Sequence, residues 1–290
     1  MINSIQYNNI EKMKHLIGID IGGTTIKGGL VKDRDLIKQT VRDTEADKGG
    51  EITLMILEEI IDRLKTVETT GIGIGVPSVV DSAQGIVYHV QNIRNWEEVH
   101  LKSILEEKFG LPVFINNDAN CFAMGERIYG LGRQFENFVG ITLGTGVGGG
   151  IIQRGRLLAD ANCGSGEYGE MPYHGGKLEE YCGSFFFTKK NTTGREIAFK
   201  AEKGDQAAIE IMNEYGKHVA ALVKMVVLSV DPQAIIFGGA ISNSLHLFKE
   251  AMYRNLTDFP FPNSIKKLSI LKSELQNIGI LGAAALCYEL

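Results

Sequence analysis

The chain has 290 residues, 22% of them charged and 44% hydrophobic, with a formal net charge of -5. That is room for two ordinary domains or one large one, in a globular composition. The mild acidity and the lack of any basic block argue against a nucleic-acid surface.

Residues 1–14 are polar, have no apolar signal core, and are expected to form an N-terminal extension. His15 to Ile21, Thr25 to Lys32 and Leu36 to Asp43 read as a three-stranded antiparallel meander. Ile52 to Leu64 carries apolar residues at helical spacing, among them Met55, Ile56 and Ile60. Gly71 to Val76 is expected as a strand, Leu101 to Phe109 as a helix, Val113 to Ile115 as a strand. A helix follows Asp118 to about Tyr129, and then come strands at Phe138 to Leu143 and Gly146 to Ile152. The stretch from about 160 to 190 reads as Gly-rich and irregular. A long helix is expected over Ala207 to Val230, strands at Ala234 to Phe237 and Leu268 to Leu271, and a closing helix at Ile280 to Tyr288. The result is a mixed α/β chain whose two halves are comparable, which suggests a duplicated fold with a cleft between. No run approaches the roughly 18 apolar residues of a membrane span. The four cysteines form no CxxC pair and fit reduced thiols in a cytoplasm.

Three glycine-rich turns carry possible chemistry. In Asp20-Ile21-Gly22-Gly23-Thr24-Thr25 a strand bearing an acid turns through two glycines and two threonines. Glycine lets backbone N–H groups approach an anion, and threonine hydroxyls donate to phosphate oxygens. It is no Walker loop, since a strand follows. Alone, it fits a phosphate loop or a plain hairpin turn. Gly144-Thr145-Gly146 joins two strands in the same way, and with Gly149 it satisfies GxGxxG. A strand follows instead of a helix, which argues against a dinucleotide-binding dehydrogenase. Two such turns, one per half, would clamp a polyphosphate. Gly238-Gly239 ends a buried strand before a helix, and fits either an adenosine site or a tight turn. Between them, Asn116-Asn117-Asp118 ends an apolar strand. An N-cap explains one such residue but not three polar ones in a row.

With these motifs in this order, and with Gly75-Val76-Pro77-Ser78 followed by Asp81, the chain resembles the ROK family of sugar kinases from about Ile17 onward. The resemblance implies an actin-like ATPase fold, ribonuclease H-like and hexokinase-type, with two lobes about a central cleft. The lobes would be 15–118 plus 276–290 (small, N-terminal) and 119–275 (large, C-terminal). It implies transfer of phosphate from Mg-ATP to the 6-hydroxyl of a hexose, with Asp118 as general base. Glucose is the first expectation, and N-acetylmannosamine or another N-acetylhexosamine the alternative. Asp20, Gly22, Gly23, Thr24, Thr25, Gly144, Thr145, Gly146, Gly238 and Gly239 would hold ATP, with Asp20 near magnesium. Ser78, Asn92, Asn117, Asp118, Glu167, Glu170 and Glu179 would hold the sugar. Trp96 is expected to pack. The partners implied are ATP and a small sugar, without nucleic acid or membrane, in a cytoplasmic homodimer.

Relatives in this family commonly carry zinc on a His after the GE.G stretch and on a cysteine cluster. Here Glu170 stands at the His position and the cluster is missing, so no zinc is expected, because a tetrahedral site needs about four ligands. The region would be held by packing, with Phe185-Phe186-Phe187 as the candidate anchor. A sugar-responsive transcription regulator shares the fold. About 16 residues before the first strand are too few for its helix-turn-helix.

Overall fold

The computed structural model describes residues 15–90 and 93–288. The expected extension over 1–14 and the candidate sugar ligand Asn92 lie outside the described residues. The chain groups into two units, with boundaries at Asp118/Ala119 and Gln276/Asn277.

The first unit is built on a five-stranded sheet. Its strands are β1 (His15–Ile21), β2 (Thr25–Lys32), β3 (Asp35–Asp43), β4 (Thr69–Val76) and β8 (Val113–Asn117), in the order β3-β2-β1-β4-β8. β1 runs antiparallel to β2 and parallel to β4, and β4 runs parallel to β8. Ile17, Ile19 and Ile21 alternate along β1 onto one face. They pack with α1 (Gly50–Leu64) and α2 (Leu101–Phe109) through Ile56, Leu57, Ile60, Leu101 and Leu105. Each such buried side chain contributes about 1.5–3 kcal/mol. Met55, expected on the apolar stripe of α1, is instead 57% exposed, and Thr53 takes a buried place on that face. Trp96 is buried, and a side chain at Gly50 would run into its ring. A small sheet of β5 (Val79–Asp81), β6 (Ile86–Tyr88) and β7 (Glu98–Val99) fills the stretch between β4 and α2.

The opposite face of the sheet is lined in part by glycine. Gly18 and Gly73 present only backbone there, and α10 (Ile278–Ala285) lies directly on them. A Cβ at Gly18 would overlap the carbonyl of Ile280, and one at Gly73 the carbonyl of Ala283.

The second unit repeats the plan. Its sheet has the order β11-β10-β9-β14-β15: β9 (Phe138–Leu143), β10 (Val147–Gln153), β11 (Arg156–Leu157), β14 (Ala234–Gly238) and β15 (Ser269–Lys272). β9 is antiparallel to β10 and parallel to β14, as β1 is to β2 and β4. The helix on the glycine-lined face is α3 (Asp118–Ile128). A Cβ at Gly150 would stand 2.5 Å from the Ala119 carbonyl, and one at Gly140 2.9 Å from the Phe122 ring. The other face packs on α7 (Gln206–Val230) and α8 (Leu245–Arg254), with α6 (Gly194–Glu202) and α9 (Pro262–Lys267) outside. The stretch read as irregular holds a hairpin, β12 (Pro172–Tyr173) with β13 (Gly176–Lys177), and two short helices, α4 (Glu179–Cys182) and α5 (Phe185–Thr188). No helix among the described residues is long and apolar enough to cross a membrane.

Close helix approach to a glycine face leaves no room for a methyl group. Gly73→Ala is expected to cost about 3 kcal/mol, seen as a lower urea midpoint. A change below about 0.5 kcal/mol would show that the helix yields freely.

Candidate active site

Asn116 and Asn117 end β8, and Asp118 is the first residue of α3. Asn116 is buried, and its Oδ1 accepts the Asn117 N–H at 2.9 Å. Asp118 is exposed. In sheet register Asn116 stands beside Gly75, Gly75 beside Asp20, and Asp20 beside Lys27. Two strand spacings separate Asp20 from Asn116, roughly 10 Å. The residue between them has no side chain.

Asp20 is partly buried. Gly279, in the first turn of α10, abuts it so closely that a Cβ there would overlap the Asp20 Oδ2. Burial pushes the Asp20 pKa up, and Lys27 across the ladder pulls it down. The turn that follows is closed by the Gly22 N–H donating to the Thr25 carbonyl at 2.9 Å. Thr44 braces it from outside: its hydroxyl donates to the Gly22 carbonyl at 2.7 Å and its N–H to the Thr24 carbonyl at 2.9 Å. Gly23 and Thr24 are left exposed.

In the second unit the Gly144 N–H donates to the Gly146 carbonyl at 3.1 Å, closing the turn between β9 and β10. Thr145 is exposed at its tip. A Cβ at Gly144 would meet no atom within 4 Å, whereas one at Gly146 would stand 2.6 Å from the Glu179 Oε2. Glu179 therefore overlies this turn. The Ser184 N–H donates to the Gly144 carbonyl at 2.9 Å, joining α5 to it as well.

Gly238 and Gly239 have a packing explanation of their own. A side chain at Gly238 would overlap the Phe122 ring, and one at Gly239 the Leu143 backbone. The helix expected directly after them is displaced. A 3-10 turn, Ala240–Ser244, intervenes because the Ser242 hydroxyl folds back onto the Gly239 carbonyl at 2.7 Å.

The remaining expected sugar residues are scattered in type. The Ser78 hydroxyl donates to the Tyr88 carbonyl, which leaves it only an acceptor role. Glu167 is exposed at the start of a 3-10 turn, Tyr168–Glu170. Glu170 pairs with Lys177 at 2.5 Å, and this hydrogen bond is the main cause of the raised Lys177 pKa. Glu180 pairs with Lys189 at 3.0 Å on the surface. Phe186 and Phe187 are buried in the core while Phe185 is 47% exposed, so two of the three phenylalanines anchor the region. Among the described residues no group of three His, Cys, Asp or Glu is placed to hold a metal ion.

Two features escaped the sequence reading. Glu126, fully buried on α3, accepts the Ser273 hydroxyl and, at 2.9 Å, the Leu131 N–H. A second cluster gathers Tyr173, His174, Tyr181 and His218. Its signal was present in α7, where Tyr215, His218 and Ser229 share one helical face with polar tips.

A family model described as "ROK family" matches residues 16–186 and 178–289. A glucokinase of Thermotoga maritima is 30% identical, over 94% of this chain and 97% of its own. The ROK hexokinase structure from Thermus thermophilus superposes with a TM-score of 0.80 at 27% identity, covering 94% of this chain and 98% of that one. A ROK family glucokinase from Streptomyces griseus, solved with glucose and AMPPNP, gives 0.79 at 25% identity, covering 95% and 100%.

Asp20 binds its proton more tightly folded than unfolded, so its stabilising contribution is present below pH 3.8 and lost as pH rises through the folded value. Asp20→Asn is expected to gain about 1 kcal/mol at pH 7, with the gain shrinking as pH falls towards 4. Urea melts at both pH values check this; equal stability at pH 7 would show that the carboxylate costs the fold nothing.

Proposed function

The chain belongs to the ROK family, and from that footing we propose that it is an ATP-dependent hexose kinase acting on the 6-hydroxyl, with glucose as its sugar. The observation that supports this most is Asp118, an exposed carboxylate directly after the C-terminal end of a parallel strand that closes on Asn116 and Asn117. Ligands of open α/β sheets bind at those strand ends. The likeness to kinases that span nearly the same length supports it further.

In this reading Asp118 accepts the proton of the sugar O6–H. The oxygen attacks the γ-phosphorus as the bond to the ADP oxygen breaks, leaving sugar 6-phosphate, ADP and a proton on Asp118. Such transfer needs positioning and charge control above all, with one base to orient the nucleophile. Asn117 and the carboxylates of Glu167 and Glu179 bind sugar hydroxyls, since a carboxylate can accept from two neighbours. Glu170 is expected to bind a sugar hydroxyl too, and its pairing with Lys177 sets its carboxylate beside the hairpin. The turns at Gly22–Thr25 and Gly144–Gly146 offer N–H and hydroxyl donors to phosphate oxygens. Asp20 would lie near the magnesium that ATP carries, adding a carboxylate to its charge balance. Gly238 and Gly239 are assigned to the adenosine from the family likeness, with Gly239 the exposed one of the two.

ADP release should be measured with Mg-ATP across glucose, mannose, fructose, N-acetylglucosamine and N-acetylmannosamine. Strong turnover on glucose is expected, and Asp118→Asn should lower kcat by about 10²–10⁴ while a sugar-induced rise in Tm persists. Turnover on an N-acetylhexosamine alone would move the substrate to that class, and an active Asp118→Asn would remove the base. Gly144→Ala separates ligand from fold. Its Cβ meets nothing in the protein, so Tm should hold while the KM for ATP rises about tenfold, the scale of one or two lost phosphate hydrogen bonds. An unchanged KM would take the phosphates away from this turn.

A further inference from the structure

The segment carrying Glu167 and Glu179 is tied to α7 by three phenols. The Tyr215 hydroxyl, from α7, donates to the Cys182 carbonyl at 2.6 Å, deep in the core. The Tyr168 hydroxyl meets the Ser229 hydroxyl of α7 at 3.1 Å. The third tie is Tyr173, whose hydroxyl lies 3.1 Å from the His218 Nδ1. It differs from the other two because it holds a hairpin. His174 and Gly175 turn that hairpin with φ of 48° and 78°, and the Leu178 N–H donates to the Met171 carbonyl at 2.9 Å to close it. The next residue is Glu179, whose carboxylate overlies Gly146.

We propose that Tyr173 and His218 are a positioning pair for sugar binding: their hydrogen bond sets the hairpin, and through it the place of the Glu179 carboxylate over the Gly144–Gly146 turn. The proposal rests on the kinase reading above. An aliphatic residue at 218 would pack as well among the rings of Tyr181 and Phe186, which lie 5.0 Å and 5.6 Å from the His218 ring. What histidine adds is one directed hydrogen bond. Burial keeps its pKa low, aided by His174, Lys190 and Lys217 and opposed by Glu214. The neutral ring keeps this bond in either tautomer, Nδ1 accepting the Tyr173 O–H or donating to its oxygen.

The test is ADP release with glucose and Mg-ATP for Tyr173→Phe, His218→Leu, the double variant and His218→Asn, whose amide reaches the place of Nδ1. Each single loss is expected to raise the KM for sugar by about 3- to 10-fold, the scale of one hydrogen bond. The values of kcat and the KM for ATP should stay within about twofold, where hydrogen-bond losses are no longer resolved. The double variant should match the singles, because both remove the same bond. His218→Asn should return towards the parent. An unchanged sugar KM overturns the proposal, as does a joint fall of kcat, both affinities and Tm. Amide hydrogen exchange over residues 170–180 needs no substrate: faster exchange in Tyr173→Phe supports the tie, and unchanged exchange overturns it. A parent protein without turnover on any hexose overturns the kinase reading instead.

Discussion

Both sheets depend on one steric constraint, a helix lying on backbone with no side chain between. Gly18 and Gly73 make that surface for α10, and Gly140 and Gly150 make it for α3. The chain connectivity gives the constraint its reach. The helix after the last strand of each sheet is counted with the other unit: α3 follows β8, and α10 follows β15. Each exchange brings a helix N-terminus to a glycine-lined sheet face. Asp118 opens the first of these helices, and Gly279 in the first turn of the second abuts Asp20. The two acids that the proposed function uses thus follow the same packing rule.

Three carboxylates draw notice in this setting, and their surroundings separate them. Glu126 is buried, and its pKa is raised mainly by that burial, yet hydroxyl and backbone donors surround it. It is satisfied, and it joins α3 to the segment after β15. Asp20 is also pushed up by burial, but what opposes the push is the charge of Lys27 and not a set of donors. Asp118 differs from both in being exposed. A satisfied buried acid stabilises the fold. Asp20 is only partly buried, and in the proposed reading the cation carried by ATP would add to the charge of Lys27 in offsetting that burial.

The regular elements were legible because period and turn chemistry agree in them. The isoleucines of β1, the apolar stripe of α1 and the long run of α7 sit as the pattern indicates, apart from Met55. The Asn-Asn-Asp end of β8 was legible as an anomaly, three polar residues where a strand should close on core. The hairpin and short helices over 172–188 were not legible. Elements of two to four residues carry no period, and these are held by tyrosine hydroxyls and ring contacts that join distant positions. The Thr44 brace on the first turn was hidden for the same reason, since a single hydroxyl 22 residues away leaves no pattern.

The abundance of glycine was legible, while its purpose at each position was not. Gly238 and Gly239 looked like ligand glycines, yet Phe122 and Leu143 already exclude side chains there. Gly110, Gly175 and Gly204 face open space, and their positive φ angles of 63°, 78° and 84° account for them. Gly144 has neither reason: no positive φ, and no atom within 4 Å of where its side chain would be. It lies at the start of a turn whose next residue, Thr145, is exposed, and over which Glu179 is held. A glycine that the fold does not require costs conformational entropy on folding without return inside the protein. In the proposed reading that clearance is used by a phosphate approaching the backbone of the Thr-Gly turn.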